Sequence, residues 1–271
     1  MYNKRLIESW HAKPISESLK IRIVIRGELF RGTIRQQIEC LDSIWLHLVC
    51  PLRAAGHKVS ICLATYAHRE TNIVLDIISA WENIAEVNMF RQKKTENTTQ
   101  ADNFIHAINH CSDIGWSLLI VRADIRFKKN IEHVRLSSDV FCFQWNYFHD
   151  ASLCEVPDQI HFLGKEITEK VRERINEPKV DMGTLKNGEG GGSLHNLYNV
   201  LKDIVPFSYV MHFDLQDSDF IGNYCKLRGN PTKSTLNTFF SYEKKKISVF
   251  IRAVGRIIAL FKQLTRFSSL N

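Results

Sequence analysis

The sequence predicts an α/β fold, with one main domain followed by a basic amphipathic helix at its C-terminal end. Three observations lead there. Runs rich in β-branched residues alternate with helical repeats through the first half, glycines punctuate the boundaries, and the positive charge gathers at one end of the chain. Strand, helix and strand in that order form a βαβ unit, hence a parallel sheet with a right-handed crossover.

Residues 20–26 alternate, are rich in Ile and Val, and break at Gly27, which reads as a first strand. Residues 34–54 place Ile34, Ile38, Leu41, Ile44, Trp45, Leu48 and Leu52 at helical spacing; Gly56 closes that helix and residues 58–64 read as a second strand. A helix near 70–82, a strand near 85–90, a polar loop at 91–98 and a helix near 100–111 repeat the pattern. Residues 116–121 form a buried-looking strand and 139–145 another, so that 20–150 reads as a Rossmann-like half. Beyond 150 the regularity weakens. An amphipathic helix at 164–176, a glycine-rich loop at 181–193, a helix at 194–204 and a strand at 207–213 lead into an irregular polar stretch, 214–242.

Composition narrows the function. The chain has 271 residues, 44% hydrophobic and 24% charged, ordinary proportions for a globular protein. Its seven cysteines are odd in number and contain no CxxC pair, which argues against a disulfide framework or a zinc ribbon; they read as small buried apolar residues. Residues 1–11 lack the roughly 7–15-residue apolar stretch of a signal peptide, and no segment supplies about 18 uninterrupted apolar residues. The expected location is cytoplasmic. The net charge of +7 is concentrated: from Glu243 onward seven basic residues face one acidic residue, so the body is close to neutral. Positive charge confined to one apolar-faced helix, with no patch interleaved with aromatics, argues against a nucleic-acid partner.

Two segments at strand ends carry candidate chemistry. Arg26-Gly27-Glu28-Leu29-Phe30-Arg31-Gly32 follows the first strand. In an open α/β sheet ligands collect outside the carboxyl ends of the strands, and the planar fork of Arg suits a diphosphate. Arg26, Gly27 and Arg31 are therefore candidate binding residues; the competing reading is a solvated turn. Neither a GxGxxG at this strand end nor a P-loop is present, which removes dinucleotide oxidoreductases and P-loop enzymes. The second segment, Arg122-Ala123-Asp124-Ile125-Arg126, ends the strand at 116–121. A carboxylate there can hold a sugar or ribose hydroxyl, or a metal bridging phosphates, or simply pair with Arg in a turn.

A βαβ half, an Arg at the end of its first strand and a mid-chain strand ending in Arg-x-Asp resemble bacterial surface-polysaccharide (capsule or O-antigen) glycosyltransferases over about residues 20–230. The resemblance implies a GT-A-like mixed sheet and a nucleotide-sugar donor. In that fold a DxD motif binds a divalent metal, Mg2+ or Mn2+; here Asp124-Ile125-Arg126 stands in its place, so Asp124 is the metal candidate and the second carboxylate is replaced by a cation. Similar transferases carry an Asp before the helix under the acceptor and a Glu in a later glycine-containing loop, which points to Asp158 and Glu189 as candidate catalytic bases; a turn Asp and a mobile loop are the structural alternatives. A late His or basic residue often reaches back to the diphosphate, which adds His212, Lys226 and Arg228 beside Arg122 and Arg126. Asp214, Asp217 and Asp219 lack the spacing of a calcium loop.

The tail has the clearest periodicity. Ile247, Phe250, Ile251, Val254, Ile257, Ile258, Phe261 and Leu264 recur in steps of three and four, with Lys and Arg on other faces of 244–266. Such a helix suits an anionic membrane surface, about 1 kcal/mol per basic residue; packing on the domain or on a second subunit is the alternative. The expected organisation is a transferase domain at 1–242, with a nucleotide-sugar half at 20–150 and an acceptor half at 151–242, and a membrane-associating helix at 243–271. The expected activity is sugar transfer to a lipid-linked glycan acceptor at the inner membrane face. The competing readings are a non-enzymatic membrane-recruited binding module and a nucleotidyl- or phosphotransferase.

Overall fold

The computed structural model describes residues 17–68, 70–95, 98–113, 115–131, 136–143, 159–177, 194, 197–201, 203–205, 207–210 and 218–220. All lie within one compact unit, Met1–Tyr224; the C-terminal basic segment lies outside the described residues.

The strands in chain order are β1 (Lys20–Gly27), β2 (Lys58–Tyr66), β3 (Val87–Gln92), β4 (Ser117–Arg122), β5 (Ile125–Phe127), β6 (Val140–Phe143), β7 (Ile160–Leu163), β8 (Phe207–Val210) and β9 (Ser218–Phe220). Seven form one sheet in the order β3-β2-β1-β4-β7-β6-β8. β3, β2, β1 and β4 pair in parallel. β7 runs antiparallel to β4 and β6, and β6 pairs in parallel with β8. One reversed strand in a parallel sheet gives the expected GT-A-like mixed arrangement with a Rossmann-like N-terminal half. β4 is buried along its whole length, as a central parallel strand covered on both faces must be.

Two strands depart from the sequence reading. The sequence reading places no strand just ahead of the helix at 164–176, yet Ile160–Leu163 is β7, too short and too uniformly buried to show alternation. The stretch 214–242 read as irregular, yet Ser218–Phe220 pairs antiparallel with β5 in a two-stranded ribbon. Both strands owe their existence to a neighbour and not to a local pattern.

Helix α1 (Ile34–Ile44) starts at Thr33, whose hydroxyl accepts from the Gln36 amide while the Gln36 side chain returns to Thr33, a capping box. The predicted single helix at 34–54 is interrupted by a π turn, Trp45–Val49, before α2 (Cys50–Ala54). Pro51 explains the break: it has no N–H to offer the His47 carbonyl one turn back, and that carbonyl instead accepts from the Ile131 amide at 2.9 Å. After α3 (Thr71–Ser79) comes α4 (Gln100–Cys111), capped reciprocally by Thr99 and Asp102. α5 (Lys165–Asn176) and a short α6 (Leu197–Leu201) follow. Gly164 precedes α5 because a Cβ there would overlap the carbonyls of Ser137 and Ser138.

One face of the sheet is covered by α4 and α5: Phe104, Ile108, Ile167 and Val171 meet Val24, Leu118 and Ile120, all fully buried. Each such aliphatic or aromatic side chain stabilises the fold by about 1.5–3 kcal/mol. Cys62 of β2 and Cys111 at the end of α4 form a disulfide across this layer, against the expectation that the cysteines are free. Cys40 is a free, buried thiol, as expected, and Cys142 is buried as well. Among the described residues no helix is long and apolar enough to cross a membrane.

Candidate functional site

Strand alternation places Arg22, Val24 and Arg26 on one face of β1. Both arginines are 1% exposed, but they sit at opposite ends of the strand and meet different surroundings. Arg22 is locked at the amino end: its guanidinium bonds Glu86, Asp113, the Cys111 carbonyl and Ser60, and lies over the Trp116 ring. Arg26 is at the carboxyl end, over the Phe104 ring at 5.7 Å, and lines a cleft.

That cleft, of about 140 Å³, opens where the four parallel strands end. Arg26, Gly27, Glu28 and Arg31 come from the end of β1 and its loop, Tyr66 from β2, and Lys94 from beyond β3; Thr98, Gln100 and Asn103 come from the start of α4, and Arg122 and Asp124 from the end of β4. Four cationic side chains thus face two carboxylates. Small-molecule sites commonly enclose roughly 300–1,000 Å³, so these walls have room for only part of a small-molecule ligand.

Asp124 is the hub of the charged wall. Arg122 forks onto it, Nε donating to Oδ1 at 2.9 Å and Nη2 to Oδ2 at 2.8 Å. Arg31 Nη1 donates to Oδ2 at 2.8 Å from the other side. Arg122 and Asp124 are each 6% exposed, so the pair is screened from bulk water and stronger than a surface pair. Arg26 and Arg122 are register partners on adjacent strands, and strands lie about 4.8 Å apart. Such crowding of like charges favours an anion between them.

The loop carrying Arg31 is held from below. Gln37, on the first turns of α1 and 4% exposed, accepts from the Phe30 amide at 2.9 Å and donates to the Ala123 carbonyl at 2.8 Å, stitching the β1 loop to the β4 turn. Gly27 adopts φ +102°, a conformation costly for other residues, and its carbonyl accepts from Thr65.

On the opposite wall burial pushes the Tyr66 phenol up to about 12, with Arg26 and Arg31 pulling it down and Glu28 reinforcing the rise. Tyr66 is therefore a neutral donor, and its hydroxyl reaches the Thr99 carbonyl at 3.3 Å. Lys94 bonds Glu28 at 2.8 Å and lies over the Tyr66 ring. Asn103 is fully buried. Its Nδ2 donates to the Ala64 carbonyl, which fixes the amide's orientation, and its Oδ1 has no hydrogen-bond partner among the described residues.

Of the residues singled out in the sequence, Arg26, Gly27, Arg31, Arg122 and Asp124 are brought together here. Arg126 is not: its Nη1 reaches Glu39 at 3.4 Å, outside the cleft. Asp158, Glu189, His212, Lys226 and Arg228 lie outside the described residues. Tyr66, Lys94, Gln100 and Asn103 were missed, although β2 and β3 had been read as parallel strands whose carboxyl ends share this edge.

A divalent cation does not fit these residues. The Asp124 oxygens already take three guanidinium hydrogen bonds, and Glu28 is engaged by Lys94. Among the described residues no three His, Cys, Asp or Glu side chains gather to hold a metal.

No family model and no curated protein match the chain. Solved structures do. The apo form of the glycosyltransferase GlyE of Streptococcus pneumoniae TIGR4 is similar at 12% identity, TM-score 0.48, over 72% of this chain and 45% of that one; a second GlyE structure gives a TM-score of 0.45. The chain thus spans less than half the length of GlyE. A nucleoside-diphosphate-sugar pyrophosphorylase from Vibrio cholerae RC9 is similar at 13% identity, TM-score 0.46, over 74% of this chain and 94% of that one.

Proposed function

We propose that the chain is a glycosyltransferase that takes its sugar from a nucleotide-activated donor. The carrying observation is the cationic cleft at the carboxyl ends of β1–β4, where Arg26, Arg31, Lys94 and Arg122 outnumber the carboxylates. Guanidinium groups recognise diphosphate oxygens by bidentate, charge-assisted bonds. Beside them, the buried Oδ1 of Asn103 is an acceptor for a ligand hydroxyl or N–H, as a ribose or base would offer.

In this reading the protein orients the donor so that the diphosphate leaves under electrostatic stabilisation by the arginines. A carboxylate removes the proton of the incoming acceptor hydroxyl. Asp158 and Glu189 are the proposed bases, with His212, Lys226 and Arg228 as further contacts to the donor. The acceptor is proposed to be a lipid-linked glycan of surface-polysaccharide synthesis, reached from the cytoplasmic face by the basic helix at 244–266.

A panel of nucleotide sugars tests the reading. A donor at about 100 times its Kd should stabilise the fold by about 2.7 kcal/mol, and product analysis should find sugar moved to an acceptor hydroxyl. Consumption of added pyrophosphate to give a nucleoside triphosphate and sugar 1-phosphate, without sugar transfer, would assign the cleft to a nucleotidyltransferase.

A further inference from the structure

We infer that Asn103 is a specificity-determining residue of the cleft: its buried Oδ1 accepts a hydrogen bond from an uncharged N–H or O–H of the ligand, so a bound nucleotide must present a donor at that point. The inference rests on the nucleotide-sugar reading and deepens it at the same site. Asn103 stands near the start of α4, three residues after Gln100, and the two share one face of the helix and one wall of the cleft. Asparagine is a poor helix former because its side chain competes for backbone bonds, and this one is fully buried. Ala or Leu would serve the helix better, so the amide answers to something other than helix formation.

Two donated bonds fix how that amide is turned. Nδ2 donates to the Ala64 carbonyl of β2 and to Gln92 Oε1 at the end of β3, each at 3.3 Å. The flipped amide would set its oxygen against the Ala64 carbonyl, so Oδ1 is the atom that stays without a partner in this wall. A buried acceptor left so costs stability until something donates to it. A cation is disfavoured there, because Arg26, Arg31, Lys94 and Arg122 already outnumber the carboxylates of the same cleft. What fits is an uncharged donor, a base N–H or a ribose hydroxyl. Gln100 differs. Its Oε1 is also buried and unpartnered, but among the described residues no hydrogen bond holds its amide, so it can turn either end toward a ligand. Asn103 is held and accepts only donors, which is what makes it selective.

Isothermal titration of the full-length protein first finds the tightest binder among UDP, CDP, GDP and ADP. It then compares that parent with three analogues: one with methyl groups in place of the base N–H hydrogens, the 2′-deoxy form and the 3′-deoxy form. At least one analogue is expected to bind the wild type about tenfold more weakly than the parent, and its identity tells whether base or ribose supplies the donor. In Asn103→Ala the parent should fall to the affinity of that analogue and the analogue should lose nothing further, since the same bond is missing in both. Ala favours the helix and forgoes only the two 3.3 Å bonds, so this variant is expected to fold; Asn103→Leu is a second variant without the oxygen. A purely structural Asn103 would move the thermal midpoint and leave the preference for the parent in place. That preference surviving in both variants overturns the inference while the nucleotide reading stands, and it is also what a methyl group clashing elsewhere would give. Wild-type affinities within about threefold for every analogue overturn it too, as expected if water alone meets Oδ1. Failure of all four nucleotides removes the nucleotide reading and the inference with it.

Discussion

Replacing Arg122 by Lys keeps the charge of the cleft and removes the fork. In the native protein Nε and Nη2 of Arg122 donate to the two oxygens of Asp124 at 2.9 and 2.8 Å, and both residues are 6% exposed. A Lys ammonium reaches one oxygen as a point charge, so one charge-assisted bond is lost, about 1.5–3 kcal/mol. Arg122→Met also removes the charge and leaves the Asp124 carboxylate to Arg31. Breaking a buried pair from one side costs about 3–5 kcal/mol. The surviving Arg31 bond at 2.8 Å places this case near the lower end. Urea unfolding should therefore rank wild type above Lys above Met. The best-binding nucleoside diphosphate should lose about tenfold in affinity with Lys, one step of about 1.4 kcal/mol, and about a hundredfold with Met. A Lys variant equal to wild type in both stability and affinity would refute the role given to the fork, and a Met variant no worse than Lys would refute the charge pairing.

Four further outcomes are expected. Asn103→Leu, which removes the buried Oδ1 but only two long Nδ2 bonds of 3.3 Å, should cost about 1 kcal/mol of stability and about tenfold in donor affinity; unchanged affinity in isothermal titration would show that this oxygen meets no ligand. The Cys62–Cys111 bond closes a separation of 49 residues, and the chain-entropy relation assigns such a loop about 4 kcal/mol, so dithiothreitol should lower the thermal midpoint by several degrees, whereas an equal midpoint denies that contribution. Burial first, then the neighbouring His110, lowers the pKa of His106 from 6.5. The unfolded chain then binds more protons than the native one between that value and the depressed one, so stability should fall as pH drops through this window. His106→Gln should flatten the dependence, and a slope identical to wild type would assign it to other groups. Removing residues 244–271 should release the protein from anionic vesicles in a sedimentation assay, and co-pelleting of the truncated chain would remove the membrane role.

How far the sequence discloses the site depends on whether a residue's place follows from its own strand or from what lies beside it. Residues 20–26 are rich in Ile and Val and break at Gly27, so Arg26 is legible near the carboxyl end of a strand, and the parallel-sheet rule then puts Arg122 and Asp124 at the same edge. Nothing in that pattern separates Arg22 from Arg26. The difference comes from Glu86 and Asp113, which reach Arg22 from other parts of the chain and make it structural. Arg126 fails for the opposite reason: β5 leaves the main sheet for its own ribbon, and there the side chain turns to Glu39. Tyr66 and Lys94 could have been drawn in from the ends of β2 and β3, whereas Asn103 needed α4 to lie over the strand ends, and Cys62 needed the same packing to meet Cys111. The segment Arg122-Ala123-Asp124-Ile125-Arg126 condenses the problem. As a string it permits a metal ligand or an arginine-paired turn. The fork from Arg122 and the second bond from Arg31, ninety-odd residues away in sequence, tie the carboxylate to two guanidinium groups in the wall of the cleft, which is the arginine-paired turn and not the metal ligand.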